Sequence, residues 1–72
     1  MITEILFLHS RINKDECLRI IMLRDNWEIR VDKTDLLGEF NGTLRIVRAD
    51  GRITSINPEA IALVCTQRRS TI

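Results

Sequence analysis

Leu44-Arg45-Ile46-Val47-Arg48-Ala49-Asp50-Gly51-Arg52-Ile53-Thr54-Ser55-Ile56-Asn57-Pro58 is the stretch that decides the fold. Two runs rich in β-branched residues flank Asp50-Gly51, and Asp-Gly between extended segments is a hairpin signal because both residues tolerate positive φ. Asn57-Pro58-Glu59 then reads as a helix start, with Asn as the cap and Pro at the first helical position. The same grammar stands upstream. Leu18-Arg19-Ile20 matches Leu44-Arg45-Ile46, and Asp25-Asn26 stands where Asp50-Gly51 does. The run Trp27 to Val31 matches Arg52 to Ile56, Asp32 matches Asn57, and Leu36-Leu37 matches the apolar run Ala60 to Val64. Repetition at about 25 residues makes the chain read as two similar strand–turn–strand–cap units, Leu18 to Phe40 and Leu44 to Cys65.

Working outward, Trp27-Glu28-Ile29-Arg30-Val31 alternates, which puts Trp27, Ile29 and Val31 on one face of a strand and Glu28 and Arg30 on the other. Asp32 to Asp35 reads as a capped turn before Leu36-Leu37, with Gly38 ending that segment. Phe40-Asn41-Gly42-Thr43 places Asn-Gly between extended segments, a second hairpin signal. Ile5-Leu6-Phe7-Leu8 is expected to be a first buried strand, closed by a polar turn from Ser10 to Glu16. Cys17 to Leu23 admits two readings. Asn13 and Glu16 resemble a capping box and suggest a buried helix. The adjacent β-branched Ile20-Ile21 and the parallel with Leu44 to Val47 favour a strand. Leu63-Val64-Cys65 reads as a last strand. The expectation is an all-β domain, either a small five- to six-stranded barrel or a strongly twisted antiparallel sheet, with one or two short helical turns. Residues 1–66 would form this single domain and residues 67–72 a solvated tail.

Asp50 to Ala60 resembles the strand–Asp-Gly–strand–Asn-Pro–helix element that opens PAS sensor domains. The likeness covers eleven residues and stops well short of a PAS domain, so it implies a shared hairpin-to-cap solution and no ligand pocket. Arg48 to Val64 also resembles the Gly-turn hairpin, Asn-Pro step and aliphatic return of small FlbD-type proteins of flagellar operons.

The composition sets a stability problem. A chain of 72 residues buries only about 60% of its unfolded surface, so a partner, metal or disulfide usually helps. Cys17 and Cys65 are the only cysteines and both lie in apolar stretches, where a thiol acts as a small buried hydrophobe. With 44% hydrophobic residues and exposed strand edges that pair readily, self-association is the expected helper. Met1-Ile2-Thr3-Glu4 lacks a basic leader and no run reaches the length of a membrane span, so a cytoplasmic location is expected.

Little points to chemistry. His9 is the single histidine, and its neighbour Ser10 would lie on the opposite face of a strand. No Cys-x-x-Cys pair anchors a metal, no Gly-rich loop cradles a phosphate, and no apolar pocket signature holds paired carboxylates. A non-enzymatic protein without cofactor or metal is expected. Net charge is +1, split as −2 over residues 1–42 and +3 over residues 43–72, and nine of the eleven basic residues are Arg. Arg19, Arg30, Arg45 and Arg52 sit on expected strands opposite aliphatic neighbours. They are the candidate contacts, with Trp27 as an apolar anchor if it faces outward and a core residue if it does not. The favoured function is a small binding and assembly module that self-associates through strand edges and contacts a protein partner. The alternative is a nucleic-acid-binding regulator that uses an Arg-lined sheet face in an oligomer. A continuous Arg patch would favour nucleic acid, and Glu interleaved with Arg would favour protein. Ser70-Thr71-Ile72 matches the C-terminal pattern that PDZ-type grooves accept.

Overall fold

The structure is a computed structural model that describes residues 1–69. The elements run α1 (Ile2–Arg11), β1 (Glu16–Met22), β2 (Glu28–Asp32), β3 (Leu36–Phe40), β4 (Thr43–Val47), β5 (Ile53–Ile56), a 3-10 turn (Pro58–Ala60) and β6 (Ile61–Arg68). The strands form two three-stranded antiparallel sheets, β2-β1-β6 and β3-β4-β5, that do not close into a barrel. The chain crosses between the sheets twice, from β2 to β3 and from β5 to β6. Thus β1 pairs with β2 and with β6, while β4 pairs with β5 and with β3.

Turn chemistry fixes these hairpins. Asp25 and Asn26 both take positive φ, 56° and 53°, and Trp27 N–H donates to the Arg24 carbonyl at 3.2 Å. Asn41 and Gly42 do the same at 51° and 79°, the geometry whose twist matches that of the flanking strands. At Gly51 φ is 90°, a conformation that glycine adopts without steric cost, and its N–H donates to the Arg48 carbonyl at 2.9 Å. Asn57 accepts from Glu59 N–H and caps the 3-10 turn before β6 returns to the first sheet.

Residues 17–23 take the strand reading: Cys17 to Met22 lie in β1, the central strand of its sheet. Glu16 still accepts from Asn13 N–H at 2.8 Å, but the contact closes the turn into β1 and caps no helix. Ile5 to Leu8 departs from expectation and lies inside α1. A contiguous apolar run has no readable period, and the wider window supplies one. Ile2, Ile5, Leu6 and His9 recur at helical spacing, with Ile2 and Ile5 buried in the core. Lys33 donates to the carbonyls of His9 and Ser10 at the end of α1, satisfying groups that a helix terminus leaves free. Two smaller expectations also shift. Gly38 continues β3 instead of ending it, and Gln67 and Arg68 belong to β6 instead of a tail because they pair with Cys17 and Glu16. Ser70-Thr71-Ile72 lies outside the described residues.

The core fills the space between the sheets. Leu18, Ile20 and Val31 enter from one side, Leu44, Ile46 and Ile56 from the other, and Ile2, Ile5 and Ile12 cap it. Asp35 is the single buried polar residue among those described. Its carboxylate accepts from Asp32 N–H at 2.9 Å and from Arg48 at 2.8 Å, and Arg48 also donates to the Arg30 carbonyl. This pair ties β2 of one sheet to the end of β4 in the other. No helix of the described residues is long and apolar enough to cross a membrane.

Candidate functional site

In an antiparallel sheet, paired residues share a face, so the registers define what each outer surface carries. On the sheet β3-β4-β5, Leu36 pairs with Val47 and Val47 with Ile53. This makes an unbroken aliphatic row across all three strands. It faces outward: Leu36 is 68% and Ile53 60% exposed. The next row is Gly38, Arg45 and Ser55, and the one beyond it holds Phe40, 50% exposed, and Thr43. Leu36, Gly38, Phe40, Arg45 and Val47 line a shallow depression of about 250 Å³. The Arg45 guanidinium lies 4.0 Å from the centre of the Phe40 ring, stacked over it.

The outer face of β2-β1-β6 is different. Its rows are Glu28, Ile21 and Leu63, then Arg30, Arg19 and Cys65. Glu28 is clasped by both arginines, through its Oε1 to Arg19 and its Oε2 to Arg30 at 3.3 Å. The bond from Arg19 holds the Glu28 carboxyl below the usual carboxylate range, with Arg30 adding to it, and raises the Arg19 guanidinium in turn. The charges answer each other across the strands.

The four arginines singled out in the sequence therefore do not form one face. Arg19 and Arg30 are cross-strand partners on the first sheet, Arg45 is on the second, and Arg52 sits at the β4–β5 turn. Arg52 pairs with Asp50 at 2.7 Å, and its backbone N–H is the main reason the Asp50 carboxyl lies below its ordinary range. The order of strands decides this, and it is a long-range property that the local pattern does not carry. Trp27 faces outward, 67% exposed, at the end of the β1–β2 hairpin near exposed Leu23. It precedes β2 in the chain, so the alternation that buries Val31 leaves Trp27 beyond the paired region.

The aliphatic row was not read from the sequence. Its signal was the pair Leu36-Leu37 directly after a turn: in a strand one of the two must face out. Among the described residues, no group of His, Cys, Asp and Glu is placed to hold a metal. Cys17 and Cys65 are free, the first buried and the second half-buried. His9 Nε2 bonds the Asp32 carbonyl at 2.9 Å and fastens α1 to the β2–β3 turn.

No protein-family model, no curated protein and no solved structure matches the chain. The candidate face rests on its own geometry.

Proposed function

We propose that this chain is a small non-enzymatic binding and assembly module of the cytoplasm. It self-associates through its sheet edges together with the apolar outer face of β3-β4-β5, and the same face contacts a protein partner. The observation that carries this reading is the exposed row Leu36–Val47–Ile53, flanked by Phe40, on one face of a sheet with two free edges. A contiguous apolar patch on so small a protein marks an interaction surface more often than a bare one. Trp27 and Leu23 at the hairpin end supply a second apolar contact. The interleaving of Glu28 between Arg19 and Arg30 favours protein over nucleic acid as the partner, because a phosphate surface needs cations that are not already neutralised. Free thiols accord with a reducing compartment.

Light scattering on a sizing column tests it. The wild-type chain elutes as an oligomer, and the double variant Leu36→Lys, Ile53→Lys as a monomer with unchanged circular dichroism. A monomeric wild type overturns self-association. An oligomer that binds short RNA or DNA, and releases it as salt rises, replaces the protein-partner reading with the nucleic-acid one.

A further inference from the structure

We infer that the free edge of β3 accepts an extended segment of a partner protein, centred on an acidic residue with an apolar residue two positions to either side, and that Arg45 reads the carboxylate. This rests on the docking-face reading above and names the chemistry of the partner.

Arg45 is the starting point. Arg19, Arg24, Arg30, Arg48, Arg52, Arg68 and Arg69 each have a carboxylate within ion-pair distance, whereas Arg11 and Arg45 have none among the described residues; Arg11 is exposed at the end of α1, and Arg45 lies within the sheet. Its Nε is buried and makes no hydrogen bond, the single such side-chain atom among those described. A buried donor without an acceptor is costly and calls for a partner. The flat face of the guanidinium is taken by Phe40, which leaves its N–H edges for an acceptor lying in its plane.

The register shows where that acceptor comes from. Gly38 lies directly opposite Arg45, on the outermost strand of the sheet. A strand added beside β3 would place one residue opposite Gly38 on the same face, two strand spacings from Arg45, or roughly 9.5 Å. Gly38 puts nothing between them: a Cβ built there meets no atom within 4 Å. A Glu on the incoming strand and the long Arg45 side chain reach each other across this gap. Two positions to either side, the incoming residues meet Leu36 and Phe40, both exposed and apolar. Glu39 lines the depression but alternates to the other face, opposite Leu44, and does not answer Arg45.

The other edges suit this partner less. Beside β5 an incoming acidic residue would lie opposite Ser55, which is in register with Arg45, but the guanidinium leans the other way, over Phe40 of β3, and Ser55 fills the place that Gly38 leaves open. The edge of β2 is closed by side chains: Arg48 on the Arg30 carbonyl, His9 on the Asp32 carbonyl and Asp35 on the Asp32 N–H. Along β6 the nearest arginine rows are already neutralised by Glu28. A second copy of β3, paired antiparallel about Gly38, would bring Gly38 against Gly38 and leave Arg45 unanswered. The segment is therefore another protein's.

The test uses the full chain and a capped peptide, Thr-Val-Thr-Glu-Thr-Val-Thr, beside its central-Gln counterpart. Titrations are followed in proton–nitrogen spectra at the β3 amides and at the Arg45 Nε–H. The Glu peptide is expected to move both sets of signals and to bind about tenfold tighter than the Gln peptide. Arg45→Gln should erase that preference. So should Gly38→Val, which fills the gap without crowding the free chain. Equal affinities for the two peptides, or shifts confined to Ile61–Arg68, overturn the site. Silence from both peptides with the oligomer intact overturns the site alone; silence with a monomeric chain overturns the docking-face reading as well.

Discussion

The two sheets share one core but present opposite outer surfaces. On β2-β1-β6, Glu28 is held by Arg19 and Arg30, and the polar atoms of the β2 edge are met by Arg48, His9 and Asp35. On β3-β4-β5, the outer face carries Leu36, Val47, Ile53 and Phe40, together with an arginine whose Nε has no acceptor. The first face also exposes Leu63, but singly, whereas the second carries an aliphatic row across all three strands and an arginine without an acceptor. Polar groups satisfied within the chain gain little from a partner, while exposed apolar area and an unanswered donor gain from one. The proposed interaction surface is thus the one left over after folding, and net charge does not point to it.

The comparison requires that the two sheets be held back to back, and the largest predicted effect comes from loosening that tie. Asp35→Ala leaves Arg48 without its carboxylate and Asp32 N–H without its acceptor. It should cost about 3 kcal/mol, read from urea unfolding monitored at Trp27. A loss below about 1 kcal/mol would show that the pair does not join the sheets. Next come single charges placed on either face. Ile53→Lys should shift the solution mass toward monomer while changing stability by no more than about 0.5 kcal/mol, whereas Arg30→Ala should leave the mass unaltered. A reversed pattern would move the interface to the other sheet. The smallest effect concerns acid. The Glu28 carboxyl titrates below its ordinary range because Arg19 and Arg30 bind the charged form, so its contribution is present above that range. It is lost as pH falls through the lowered value. Glu28→Gln should therefore lower Tm slightly across the neutral region, flatten the acid limb of a plot of Tm against pH, and leave Tm at the acid end nearly unchanged.

The elements that were legible in the sequence are those whose causes are local. Asn41-Gly42, Asp50-Gly51 and Asn57-Pro58 announce turns because positive φ and a fixed proline φ are properties of single residues, and the strands between them follow. Two antiparallel sheets with short helical turns are accordingly within the expected class. The stretch Ile5 to Leu8 reads as a strand, and lies in α1, because it is apolar at every position and shows no period without Ile2 and His9. The site was the least legible part. Whether Arg19 and Arg45 share a face depends on which strand crosses between sheets, and no window of residues contains that. Leu36 and Leu37 read as one apolar pair in the sequence, whereas alternation in β3 exposes the first and half-buries the second. Trp27 followed the alternation rule in phase but lay past the end of the pairing, where burial no longer follows from phase.

The central claim is that the outer face of β3-β4-β5, and not that of β2-β1-β6, makes the contacts between chains. A dilution series followed by proton–nitrogen spectra tests it most directly. The account predicts concentration-dependent shifts at Leu36, Gly38, Phe40, Val47 and Ile53, with Arg19, Ile21 and Arg30 stationary. Shifts concentrated at Arg19, Ile21 and Arg30, or none at any concentration, would contradict it.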